Sequence, residues 1–78
     1  MSGRMDFRRT PDSKEWLGSF KGSIRDAIYN YCNDRATAED LGFFRGMVVT
    51  SSEDDREPLE TIVGILENGG TADFKIEY

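Results

Sequence analysis

The sequence predicts a mainly α fold, a small three-helix domain with an extended or β segment at its C-terminus. Three observations carry this. Apolar residues recur at helical spacing in three successive segments, each segment opens on residues suited to a helix start, and the chain closes on a two-residue period. With 78 residues there is material for one core only. The expected division is a basic N-terminal arm over 1–10, a helical domain over 11–70 and a strand or tail over 71–78.

The first helix is expected over about 12–33. Asp12 with Glu15 has capping-box spacing beside Pro11, and Trp16, Leu17, Phe20, Ile24, Ala27, Ile28, Tyr31 and Cys32 then form one stripe at 3.6 residues per turn. Trp16 and Tyr31 read as core on this stripe, and Phe20 as the side chain whose loss would cost most. Tyr29 falls off it. A second helix is expected over 38–50, where Thr37 precedes Glu39 and Asp40 in another capping arrangement. Leu41, Phe44 and Val48 mark its inner face, while Phe43 lies to one side.

The run Ser51 to Glu57 is polar and acidic, and reads as a loop that leads into a third helix over 58–68 started by Pro58. Leu59, Ile62, Val63 and Leu66 supply its apolar face, and Asn68-Gly69-Gly70 its stop. Ala72, Phe74, Ile76 and Tyr78 then alternate with Asp73, Lys75 and Glu77, as in a strand with one apolar face. A strand needs a neighbour. Pairing inside the chain with Arg4–Arg9, where Met5 and Phe7 alternate with charge, pairing with another molecule, and a disordered tail all stay open at this level.

Composition excludes much chemistry. The chain has no His and a single Cys, so neither a Cys/His zinc site nor a Ser-His-Asp triad can be built. Leu, Ile, Val and Phe make up about 22% of residues, which leaves a thin core with little room for a pocket. No enzyme activity, cofactor, metal or small-molecule ligand is expected. No apolar run approaches 18 residues, so the chain reads as soluble and intracellular, without a membrane partner.

The net charge of −5 is unevenly spread, with +3 on residues 1–25 and −8 on residues 26–78. An overall acidic chain gains little from phosphate contacts, so nucleic acid is not the expected partner. A helix-turn-helix would need Arg45 and Arg56 to overcome many nearby acids. The acids Glu53, Asp54, Asp55 and Glu57 lack the spacing and turn glycine of a calcium loop.

Protein contact is the reading that remains. Off-stripe Tyr29 and Phe43, together with Phe74, Ile76 and Tyr78 on the terminal strand, are the candidate partner-binding residues. If the partner were basic, Asp54, Asp55 and Glu57 would join them. Gly18 and Gly22, and again Gly42 and Gly46, lie four apart on expected helices. Each costs roughly 0.5–1 kcal/mol there, so they are read as helix-packing notches that admit a close neighbour.

The series Ser23-Ile24-Arg25-Asp26-Ala27-Ile28-Tyr29, the element Glu39-Asp40-Leu41-Gly42-Phe43-Phe44-Arg45-Gly46 and the short helix after it cover about residues 20–66. In layout they resemble small helical proteins encoded among bacteriophage head and tail genes. The resemblance implies a viral structural or assembly accessory protein acting in multiple copies, a homo-oligomer or a phage or host protein partner, and a place in the host cytoplasm or the virion. The alternative is a small acidic inhibitor that covers a basic site on a host protein.

Overall fold

Met5 and Phe7 alternate with Arg4, Asp6 and Arg8 because this segment is a strand. In the computed structural model, which describes residues 3–10 and 14–77, β1 runs Arg4–Thr10 and lies at the centre of a sheet. The other strands are β2 (Gly18–Lys21), β3 (Arg35–Ala36) and β4 (Thr71–Glu77), in the order β2-β1-β4-β3 with every neighbouring pair antiparallel. Between them run α1 (Gly22–Cys32), α2 (Leu41–Thr50) and α3 (Glu53–Glu67).

The domain is therefore mixed α/β, which corrects the mainly α expectation. The helix expected over 12–33 begins only at Gly22. Residues 11–13, with the Pro11 and Asp12 signals, lie outside the described residues. Of the remainder, residues 18–21 pair with β1, Met5 opposite Phe20 and Phe7 opposite Gly18. The stripe misled because Phe20 fits both periods. Glycines at 18 and 22 weaken a helix at that point, and the ladder to β1 supplies the backbone partners instead. Gly22 takes φ of 65°, a left-handed turn suited to glycine, where the strand gives way to α1.

The second expected element holds. The Thr37 side chain accepts a hydrogen bond from the Glu39 backbone N–H at 3.3 Å, and the Thr37 N–H donates to Asp40 at 2.9 Å, closing a capping box over a short 3-10 turn that runs into α2. The third helix starts five residues earlier than expected. Glu53, Asp54 and Asp55 are its first turn, where their charge meets the positive end of the helix, and Pro58 sits inside it. The missing Pro58 N–H costs one backbone bond. Burial of Leu59, Ile62 and Leu66 offsets it.

Strand register sorts the side chains. Met5, Phe7, Phe20, Ala36, Ala72 and Phe74 share one face and meet Ile28, Phe44, Leu59, Ile62 and Leu66 from the helices in a single core. Phe7 is central to it, stacked on Phe20 with centroids 5.4 Å apart and tilted against Phe74 at 6.5 Å. The result is two layers, helices on one side and charged residues on the other. Trp16, Leu17 and Tyr31, expected in the core, are 40%, 46% and 50% exposed. The supposed basic arm is a full strand of the sheet, and β4 pairs within the chain over seven positions, from Thr10 opposite Thr71 to Arg4 opposite Glu77.

Candidate functional site

The sheet face turned away from the core is built in rows by the same register. One row crosses three strands, with Arg8 on β1 opposite Asp73 on β4 and Asp73 opposite Arg35 on β3. The next places Ser19, Asp6 and Lys75 side by side, and the third Lys21, Arg4 and Glu77. Ion pairs knit this face, Arg4 to Asp6 at 2.8 Å, Arg35 to Asp73 at 2.9 Å and Lys75 to Glu77 at 3.2 Å.

Among the described residues of this face Lys21 and Arg8 stand outside these pairs, Lys21 exposed and Arg8 half-buried. Asp73, the acid across from Arg8, already accepts from Arg35 Nε, whose guanidinium is held further into its charged form by that hydrogen bond and by the carboxylate's charge. Arg8 Nε is buried without a hydrogen-bond partner, and the guanidinium lies 4.9 Å from the centre of the Trp16 ring. Cation–π attraction replaces part of what an acid would give, while a buried N–H left unmade remains costly. Trp16 is carried there by the segment that leads into β2, where the Leu17 N–H donates to the Phe7 carbonyl at 2.8 Å.

Arg8, Trp16, Asp34, Arg35, Asp73 and Lys75 bound an open hollow of about 720 Å³. Of its three cations Arg35 is paired with Asp73 and Lys75 with Glu77, which leaves Arg8 as the lining cation without an acid. Such a floor can take a carboxylate or another anion at Arg8 and a flat or apolar group against Trp16.

Two further hollows among the described residues are smaller. Tyr29, 43% exposed, and Ile76 share one of about 280 Å³ with Arg25, Asp26 and Asn30. The other, of about 420 Å³, runs between α2 and α3 past Val48, Val49 and Val63, with Arg45 and Glu67 joined at 2.6 Å along it.

The residues singled out in the sequence are scattered over these surfaces. Tyr29 and Ile76 come together. Phe43 is half-buried, stacked flat on Tyr31 at 3.9 Å and edge-on to Phe44 at 5.3 Å. Phe74 is 6% exposed in the core and offers no ring to a partner, and Tyr78 lies outside the described residues. Asp54 and Glu57 are exposed on α3, while half-buried Asp55 accepts from Ser52 Oγ at 3.2 Å. The glycines are not notches between helices of this chain. Gly18 is in β2 and Gly22 is the left-handed start of α1, and a Cβ added at Gly42 or Gly46 would meet no atom within 4 Å.

Arg35 and Lys75 were not singled out as contact residues, Arg8 entered only as part of the basic N-terminal arm and Trp16 as core. The alternation of Arg4, Asp6 and Arg8 with Met5 and Phe7 carried the signal for Arg8, but nothing local places Trp16 over it. Cys32 offers no nucleophile. Burial, with Asp40 and Asp34 adding their charge, pushes its thiol up to about 12, and it donates to the Ile28 carbonyl at 3.3 Å.

Among the described residues there is no cluster of three or more His, Cys, Asp or Glu that could hold a metal, and no helix long and apolar enough to cross a membrane. No protein family, curated protein or solved structure matches the chain. Fold and site together define a small two-layer α/β domain with an open, charged sheet face and one unpaired arginine on it.

Proposed function

We propose that this protein is a non-catalytic protein-interaction module that holds an acidic segment of its partner against the open sheet face. One observation carries the reading, the buried Nε of Arg8 left without a hydrogen-bond partner beneath an exposed tryptophan, in a hollow lined by two further cations. A carboxylate from the partner would pair with the Arg8 guanidinium where it lines the hollow, and the side chain next to it would cover Trp16. The interaction class inferred from the sequence is kept, while the contact surface moves from Tyr29, Phe43 and the apolar side of the terminal strand to the charged face of the sheet.

Trp16 is the only tryptophan, so its fluorescence reports on this hollow alone. Amidated hexapeptides that carry no glutamate, one or two should quench or shift it progressively more. The response should weaken with added salt, because the charges are near the surface. Arg8→Gln should remove it while thermal stability stays the same or rises. A response independent of glutamate content, or one that survives Arg8→Gln, overturns the proposal, as does a stronger response to a short oligonucleotide, which would make the hollow a phosphate site.

A further inference from the structure

We infer that two copies of this chain pair edge to edge through the C-terminal half of β4, joining their sheets about a two-fold axis at Ile76.

The edge is open because β3 is short. It covers β4 at Ala72 and Asp73, and the Phe74 N–H donates to the Asp34 carbonyl at 2.8 Å, the last bond on that side among the described residues. In an antiparallel sheet the outward-pointing backbone groups alternate, so Ile76 aims its N–H and C=O the same way as Phe74, beyond the end of β3. Natural sheets block such an edge or pair it.

The occupant is set by the residues on either side. If the Ile76 of each copy exchanges both backbone bonds with the other, Lys75 falls opposite the second copy's Glu77 and Glu77 opposite its Lys75. The edge is its own charge complement in this register. Moving the axis by one residue, a two-residue shift in register, would oppose Glu77 to Glu77 or Lys75 to Lys75. Both ionic positions lie on the charged face, where Arg4 and Asp6 across from them on β1 are paired with each other, so the Lys75–Glu77 pair at 3.2 Å within each chain would be exchanged for two pairs between the copies.

On the opposite face Ile76 points toward the helices, and the hollow of about 280 Å³ between it and Tyr29 lies there. The second copy's Ile76 would enter that hollow, so the pairing buries two isoleucines beside two half-exposed tyrosines. The seam stops at three residues from each copy, because Asp34 holds the place opposite Phe74. So short an interface belongs to weak, reversible dimers.

Sedimentation equilibrium of the intact protein tests this, from about 10 μM to about 1 mM, where a seam of this size would act. The wild type should show a reversible monomer–dimer equilibrium. K75E places carboxylates opposite carboxylates, and E77K ammonium opposite ammonium, so each alone should weaken the dimer by about tenfold or more. An equimolar mixture of K75E and E77K should dimerise again, which misfolded variants could not do. A wild type monomeric throughout, single variants that dimerise like the wild type, or a mixture that stays monomeric each overturns the pairing.

Discussion

Gly18 lies against the ring of Phe7. A Cβ built on this glycine would come within 2.8 Å of Phe7 Cε1 and 3.2 Å of Cζ, and the ring is fully buried with no room to retreat. Gly18→Ala should therefore lower stability by about 1–3 kcal/mol, as overpacking does. Gly46→Ala, in an exposed part of α2 with no atom within 4 Å of the new methyl group, should raise it by about 0.5–1 kcal/mol. Urea midpoints of the two variants that move in the same direction would contradict the packing described.

Phe20 and Tyr31 were expected to share one helical stripe, and the structure separates them. Phe20 is 1% exposed and stacked on Phe7, so Phe20→Ala should cost about 3–5 kcal/mol, a large part of the roughly 4–12 kcal/mol expected of a domain this size. Tyr31 loses only its stack on Phe43 at the surface. Tyr31→Ala should cost about 0.5–1.5 kcal/mol. Equal losses in denaturant titrations would place Tyr31 in the core after all.

Truncation after Gly70 removes a central strand. It takes away Ala72 and Phe74 from the core and leaves both β1 and β3 without the neighbour on that side. The shortened chain should show no cooperative thermal transition and should lose near-ultraviolet dichroism. A truncated chain that melts as a folded helical domain would mean that the sheet is dispensable.

The Cys32 thiol is held well above its ordinary 9.0, at about 12, so the fold favours the neutral form. Its contribution to stability is complete below about pH 9 and is lost as pH rises from there toward 12, because the unfolded chain gives up that proton first. Comparison with Cys32→Ala isolates it, since the wild type should lose stability more steeply over that interval. At pH 8 iodoacetamide should alkylate the native thiol far more slowly than the urea-unfolded one. Equal rates would show that the thiol is not protected.

Much of the local structure was legible in the residues themselves. The Thr37–Asp40 capping box, the buried face of α3 at Leu59, Ile62 and Leu66, and the alternation of β4 each depend on neighbours within a few positions, so period and capping chemistry reveal them. The first helix was misjudged at the place where two periods overlap. Phe20 belongs equally to a helical stripe with Ile24 and Ile28 and to a strand with Gly18, and no local preference separates the two.

By itself the sequence determined which side chains of α3, β1 and β4 would share a face, including Met5 with Phe7 and Arg8 with Asp6. Tertiary structure decided which faces would meet. Thr10 pairs with Thr71 across most of the chain, and that register aligns Arg8 with Asp73 and Asp73 with Arg35. Phe74 became core and Trp16 surface for the same reason. Side-chain period is a property of a few consecutive residues, whereas hydrogen-bond register between distant strands is selected by the burial of the whole core, to which every element contributes at once.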